Sequence, residues 1–163
     1  MYTGATPVTS TKGCLTTVSC QLADQLTYAL EGSVFTAGSV IQWLRDQLGF
    51  IDSSQEVELL ANTVPDSDGV YLVPAFTGLG TPHWDPYARG LIIGLTSTTN
   101  RGHIARAALD SIAYQTADVF QTMVEESGLP INDMRVDGGA SSNNLLMQIQ
   151  SDIMMSDLLR PKI

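Results

Sequence analysis

At 163 residues, with a hydrophobic fraction of 44% and 15% charged residues, the chain has the length and composition of one globular domain and not of a disordered segment. Its formal net charge of −9 disfavours nucleic acid or an anionic membrane surface as the main partner, because both are bound through basic patches. A nucleotide stays compatible with this charge, since backbone amides can bind an anion locally.

We expect a cytoplasmic protein without a membrane partner. No apolar run approaches the roughly 20 residues needed to cross a bilayer, and no signal peptide opens the sequence. Cys14 and Cys20 are the two cysteines, and they have no neighbouring histidine or cysteine with the spacing of a zinc site. We predict that both are buried free thiols in a reducing compartment.

Hydrophobic periodicity predicts strands that alternate with helices, which indicates a layered α/β domain. We expect a fragment of a longer domain, because the sequence starts within a strand and turn and stops after the first residues of a strand. In chain order we predict strands at 15–20 and 27–30, helices at 33–48 and 54–62, strands at 70–74 and 90–95, a helix at 100–127, a strand at 134–136, a helix at 143–154 and a strand at 157–160.

The connection over residues 74–95 is unusually long and is rich in glycine, proline and aromatic residues. Long connections inside compact domains are uncommon and are usually functional. Glycine and proline define a backbone path that aromatic side chains can hold against a core. We therefore predict an ordered loop.

Residues 137–144, with the sequence DGGASSNN, join a predicted strand directly to a predicted helix. Two glycines allow close approach of a ligand to the backbone, and the free amides of the helix N-terminus suit a nucleotide or another anion. Asn143 has the right side chain to bond a base or ribose edge. The alternative is an ordinary turn in which Ser141 or Ser142 caps the helix, because the octapeptide matches no established phosphate-binding motif.

Gly38 and Gln42 are four residues apart on the flank of an apolar helical stripe. A glycine inside a helix costs about 1 kcal/mol relative to alanine. Something flat lying against the helix backbone would explain it, with Gln42 as the adjacent hydrogen-bonding group; close packing against a neighbouring helix is the open alternative.

We identify no catalytic or metal-ligating residue in the sequence. His83 and His103 are the two histidines, and no metal-ligand spacing connects them with cysteines or paired acids. We predict ring packing for His83 and a structural role for His103. Asp110 is expected either to be solvated or to pair with Arg106, and Glu56 and Glu58 are expected on solvated helix faces.

Three phrases in order closely resemble the C-terminal domain of glycerol kinases. They are YALEGSVFTAGSVIQWLRD at 28–46, PAFTGLGTPHWDPYARG at 74–90 and RVDGGASSNNLLMQIQSDI at 135–153. Residues 90–110 are also similar to a signature of the wider carbohydrate kinase family. His83 departs from the glycerol kinase pattern, which more often has tyrosine, and Thr-Pro-His at 81–83 is closer to xylulokinases.

The resemblance implies an α/β, ribonuclease H-like and actin-like ATPase fold, of which residues 1–163 would be a partial C-terminal, ATP-side domain with no second domain. It implies transfer of the γ-phosphoryl group of Mg²⁺-ATP to glycerol. Carried over residue by residue, the nucleotide-binding positions are Gly38, Gln42, Gly139 and Asn143.

The resemblance also implies that the catalytic aspartate, the glycerol-binding residues and the Mg²⁺ ligands precede Met1. We therefore expect no kinase activity from this polypeptide alone, and a homodimer or homotetramer for the whole protein. A xylulokinase domain, a non-catalytic nucleotide-binding module and a structural domain that has lost the binding slot are the alternatives.

Overall fold

The computed structural model describes residues 1–129 and 133–161 of the chain. It contains three small sheets and four α-helices, in the mixed α/β arrangement that the sequence predicts. The elements in chain order are β1 (Tyr2–Gly4), β2 (Leu15–Leu22), β3 (Gln25–Glu31), α1 (Gly38–Asp46), α2 (Glu56–Ala61), β4 (Tyr71–Val73), β5 (Leu91–Ile93), α3 (Arg101–Ser127), β6 (Met134–Arg135), a 3₁₀ turn (Gly139–Ser142), α4 (Asn144–Met154) and β7 (Leu158–Leu159).

The two strands predicted at 15–20 and 27–30 are present, and both are longer than expected. β2 and β3 pair antiparallel, and β1 adds to the free edge of β3 to give the order β1–β3–β2. Cys14 is buried as predicted, but the prediction for Cys20 is wrong because it is exposed. Its strand has almost every residue exposed, so neither face of β2 is covered at that point.

The long helix α3 is the centre of the domain, and its predicted limits are confirmed. Asn100 accepts a hydrogen bond from the Gly102 amide at 2.8 Å, and His103 Nδ1 accepts from the Asn100 amide at 3.1 Å, which forms a capping box. Gly128 ends the helix in the left-handed conformation. One buried cluster joins α3 to α1, α2, β4 and α4, so the four helices form one core.

Helix α1 starts at Gly38, five residues later than the sequence predicts. The preceding segment is held by long-range contacts instead of helical ones. The Ser33 amide donates to Thr81 Oγ1 at 3.0 Å, and the Ser33 carbonyl accepts from the Thr81 amide at 2.9 Å. These two bonds fix an extended backbone, and only the residues after them are free to form helix.

The loop between β4 and β5 is ordered, as its composition predicts. The two strands pair antiparallel, so the loop is the tip of a hairpin folded back over the domain. Trp84 Nε1 donates to the Gly13 carbonyl at 2.6 Å, and the Leu79 amide donates to the Asp85 carbonyl at 2.8 Å. The Trp84 ring also lies edge-on to Phe35, with centroids 6.0 Å apart.

Strands β6 and β7 pair parallel and flank α4 in the chain. This strand–helix–strand unit brings the 3₁₀ turn and the start of α4 next to α1 and α2. Within the described residues, no helix is both long enough and apolar enough to cross a membrane.

Candidate functional site

The four residues singled out in the sequence line one cleft of about 310 Å³. Gly38 and Gln42 come from the first turns of α1, while Gly139 and Asn143 come from the 3₁₀ turn and the residue that begins α4. The two pairs are about 100 residues apart in the chain, and the α3 core brings them together. The structure therefore brings the four residues to one cleft.

Neither Gly38 nor Gly139 is explained by packing or by backbone conformation. A Cβ atom built on either residue meets no atom within 4 Å, and neither has a φ in the left-handed region. Close helix packing at Gly38 is therefore wrong as an explanation. Gly38 also lies at the first position of α1 and not inside it, so its cost to the helix is smaller than expected. Both glycines line the cleft and have open space at their Cβ positions.

Gly138, unlike Gly139, adopts a backbone conformation that favours glycine. Its φ of +91° lies in the region that favours glycine, and it makes the turn from β6 into the 3₁₀ segment. Ser141 Oγ and Ser142 Oγ then donate to the carbonyls of Gly138 and Gly139, both at 2.7 Å. The serines hold the turn itself, so the alternative that one of them caps α4 is wrong.

Asn143 is the residue that caps α4. Its Oδ1 accepts a hydrogen bond from the Leu146 amide at 2.8 Å, which satisfies one of the free donors of the first turn. The oxygen of the side chain is thus occupied by the helix. Its NH₂ group has no protein acceptor among the described residues, so this side chain offers a ligand a donor.

Glu58 is a cleft residue that the sequence interpretation placed on a solvated helix face. It lines the cleft from α2, and its Oε2 accepts a hydrogen bond from the Asn144 amide at 3.2 Å. The two residues are 86 positions apart, and no local pattern could have revealed the contact. Glu56, on the same helix, instead accepts hydrogen bonds from the Asp52 amide at 3.1 Å and from Ser53 Oγ at 2.9 Å.

The start of α4 is therefore less available to an anion than the sequence predicts. Of its first amides, that of Asn144 is bonded to the carboxylate of Glu58 and that of Leu146 to Asn143. A carboxylate at this position already complements the positive end of the helix dipole. The prediction of a free helix N-terminus for phosphate does not hold at these two amides.

Arg160 stabilises the wall of the cleft that the 3₁₀ turn and the start of α4 form. Its Nη1 donates to the Ser141 carbonyl at 2.8 Å, and both of its Nη atoms donate to Asn144 Oδ1 at 3.1 Å. The guanidinium fork thus joins the 3₁₀ turn to the first residue of α4. Sequence reasoning missed this residue, because its partners are 16 and 19 positions away.

The floor of the cleft is apolar and well packed. Its side chains are 7% exposed or less, so the floor is rigid. A narrow apolar slot with amide groups at its rim suits a flat, partly polar ring system. The floor is formed by Ile41, Val57, Leu109, Ile112 and Leu146.

The histidines and the best-buried acid lie outside the cleft. His103 has the structural role predicted for it, in the cap of α3. The ring-packing prediction for His83 is wrong, since its side chain is 54% exposed and faces Asp118 at 3.9 Å. Asp110 pairs with Arg106 at 3.3 Å; burial raises the pKa of its carboxyl despite the opposing charge of that arginine.

No group of three or more histidine, cysteine, aspartate or glutamate side chains that could hold a metal ion is found across residues 1–129 and 133–161. Magnesium is commonly held by phosphate oxygens, waters and one or two carboxylates. The carboxylate of Glu58 is the one ionisable group among the cleft-lining residues described, and it is already bonded to a backbone amide. The cleft residues fit a nucleoside better than they fit a cation.

Comparison with known proteins agrees with the fold. Residues 1–163 match the C-terminal domain of the FGGY family of carbohydrate kinases. A glycerol kinase from Trichlorobacter lovleyi is 58% identical over 163 residues, which is 100% of this chain and 33% of that protein. The chain thus spans about a third of the length of the curated relatives it matches.

Solved structures of the same family have the same fold. The crystal structure of Plasmodium falciparum glycerol kinase with ADP matches with a TM-score of 0.92 and 37% identity, over 100% of this chain and 33% of that one. A ligand-bound xylulose kinase from Lactobacillus acidophilus matches with a TM-score of 0.76 and 25% identity, over 90% of this chain and 30% of that one. The predicted ribonuclease H-like, actin-like ATPase fold is confirmed, and the chain belongs to the FGGY family of carbohydrate kinases.

Proposed function

We propose that this chain is the ATP-side domain of a glycerol kinase, an enzyme that transfers the γ-phosphoryl group of Mg²⁺-ATP to glycerol and yields glycerol 3-phosphate and ADP. The observation that supports this most directly is the open cleft between α1 and the 3₁₀ turn, in a chain that superimposes over its full length on a glycerol kinase solved with ADP.

In this proposal the cleft is the adenosine slot. Gly38 and Gly139 have no side chain, so each leaves open space where a ring or a ribose can lie against the backbone. Gln42 and the NH₂ group of Asn143 provide hydrogen bonds at the rim. The buried apolar floor excludes water from the faces of the ring, which strengthens those polar contacts.

Phosphoryl transfer needs a base near the attacking hydroxyl and a metal ion on the phosphates. We propose that neither is supplied by residues 1–163, so that these residues alone bind nucleotide without transferring its phosphoryl group. Mg²⁺ would enter with the nucleotide. The whole protein is proposed to be cytoplasmic and homo-oligomeric. Its proposed substrates are glycerol and ATP.

The slot is tested by titrating ADP into the purified chain and into Gly139→Leu, by calorimetry. The leucine side chain projects into the open space and should weaken ADP binding at least tenfold, while the melting temperature stays unchanged. Ser19→Leu, on the exposed strand β2, is the control and should bind ADP as the unaltered chain does. Equal ADP binding by all three would contradict the assignment of the slot.

The absence of transfer is tested separately, in an assay that couples ADP release to NADH oxidation. Glycerol-dependent ADP formation by the purified 163-residue chain would overturn that part of the proposal. The expected result is the same background rate with and without glycerol.

A pentulose kinase is the second candidate, and the sequence at residues 81–83 favours it. His83, however, lies outside the cleft, so it is not a reason to change the nucleotide assignment. The structural likeness is also greater to a glycerol kinase than to a xylulose kinase. A whole enzyme that phosphorylates D-xylulose in preference to glycerol would favour this second candidate.

A further inference from the structure

The cleft contains one feature that neither its apolar floor nor its glycines explain. Glu58 is the one ionisable side chain among the described residues that line it. A carboxylate is a poor neighbour for the anionic part of a nucleotide, since two negative charges at close range repel each other. A single acid facing a nucleotide slot therefore needs a different partner.

The geometry at Glu58 leaves one of its oxygens free for such a partner. Oε2 is engaged with the Asn144 amide at 3.2 Å, which fixes the carboxylate against the start of α4. Oε1 has no protein donor within the described part of the chain. The side chain of this cleft-lining residue is thus positioned by one oxygen and keeps the other as an unengaged hydrogen-bond acceptor.

The same contact indicates which end of a nucleotide lies here. The amides of Asn144 and Leu146 are already bonded to side chains, so the N-terminus of α4 offers little to a phosphate. The negative charge of Glu58 repels phosphates further. The uncharged nucleoside half, whose hydroxyl and amino groups are donors, is the half that fits against it.

We propose that Glu58 accepts a hydrogen bond, through Oε1, from an uncharged O–H or N–H donor on the nucleoside half of the bound nucleotide. This rests on the proposed nucleotide slot and adds a specificity residue to it. The donor is either a ribose hydroxyl or the exocyclic amino group of adenine. Both present the same chemistry to the carboxylate, and matched analogues distinguish them.

The test uses calorimetric titration of the 163-residue chain with ADP, 2′-deoxy-ADP, 3′-deoxy-ADP and inosine diphosphate, which lacks the amino group. The variant is Glu58→Gln, whose side-chain oxygen can still accept from the Asn144 amide. Glu56→Gln is the matched control, because that carboxylate lies on the same helix and bonds Ser53 and Asp52 instead.

The expected result is that Glu58→Gln binds ADP about tenfold more weakly, because the free Oε1 acceptor is replaced by an NH₂ group, which can only donate. One analogue, the one without the contacted donor, should bind the unaltered chain about tenfold more weakly than ADP does. That analogue alone should be insensitive to Glu58→Gln. Glu56→Gln should leave all four affinities unchanged.

The outcomes separate this inference from the proposed function. If the unaltered chain binds none of the four nucleotides, the slot itself is wrong and the inference fails with it. If ADP binds but Glu58→Gln weakens all four nucleotides equally, the residue acts only by holding α4, and the inference alone is overturned. Unchanged affinities for ADP in Glu58→Gln overturn it as well. Melting curves of each variant show whether the fold is retained.

Discussion

Glycine serves opposite purposes in two regions of this molecule. At the β4–β5 hairpin, a Cβ on Gly80, in the loop, would lie 2.0 Å from the Ser33 carbonyl oxygen, and one on Gly94, just after β5, would lie 2.0 Å from the Gly69 carbonyl oxygen. In the cleft, a Cβ on Gly38 or Gly139 would meet nothing within 4 Å. The hairpin needs glycine because neighbouring backbone occupies the space of a side chain, whereas the same space is empty at the cleft glycines.

The comparison teaches that local composition alone does not locate a site. The loop is the more conspicuous region in the sequence, and its glycines are explained by packing within the domain. The cleft glycines have no internal explanation. In the proposed function, a bound nucleotide explains why these positions are glycine.

The sharpest test of the comparison is Gly80→Ala. The added methyl group would overlap a backbone oxygen that is itself bonded to the Thr81 amide, so the loop must move away from β3 and α1. We expect a loss of about 3 kcal/mol or more in the free energy of unfolding. Urea denaturation measures it, and a loss below about 1 kcal/mol would show that the loop is not tightly packed.

Asn143→Ala should have a smaller effect on the free energy of unfolding, and it should also lower the affinity for ADP. Removing the cap of α4 costs about 1 kcal/mol of stability, and removing the NH₂ group also weakens ADP binding in the proposed slot. Asn143→Asp is the control, because it keeps the capping oxygen and loses the donor. It should restore most of the stability in urea denaturation without restoring the ADP affinity measured by calorimetry.

Gly38→Ala should change stability least, and in the opposite direction. The residue is helical and has open space around its Cβ position, so alanine should stabilise the chain by about 0.4 to 1 kcal/mol. Measured next to Gly80→Ala, a gain here would confirm that the two regions use glycine differently. A clear loss of stability would contradict the comparison.

The contact between the end of α3 and the segment around Lys12 has a pH dependence. Partial burial of Glu126 raises the pKa of its carboxyl, but hydrogen bonds from Ser10 Oγ at 2.6 Å and from the amides of Lys12 and Thr11 outweigh this and lower it to about 2 from its ordinary 4.5. A group with a lowered pKa contributes stability above its unfolded pKa, and this contribution is lost as the pH falls.

We therefore expect the stability of the chain to decrease between about pH 4.5 and pH 2 through this carboxyl. Because the group is only partly buried and solvent screens its charge, the decrease should be modest. Urea denaturation at several pH values, compared between the unaltered chain and Glu126→Gln, measures it. Parallel pH profiles for the two proteins would show that Glu126 does not hold the segment around Lys12.

The sequence predicted the features that depend on contacts between residues close together in the chain. The limits of α3 follow from Asn100, His103 and Gly128, which all lie at or next to the ends of the helix. The four cleft residues were found from glycine and amide positions on two predicted helices, together with family resemblance. In each case the determining groups are near neighbours in the chain.

The errors came from contacts between distant residues. The start of α1 is set by Ser33 and Thr81, 48 positions apart. The role of Glu58 depends on Asn144, 86 positions away. No periodicity contains such information, since it arises only when the core has placed two segments side by side.

The position of Arg160 has a consequence for how the cleft wall assembles during synthesis. The ribosome releases the 3₁₀ turn and α4 before the arginine that joins Ser141 to Asn144. Until residue 160 has emerged, the Ser141 carbonyl and Asn144 Oδ1 lack the guanidinium donor that joins them. A nascent chain stalled shortly before this residue should already contain its core helices and yet hold nucleotide poorly, so the site matures later than the domain that carries it.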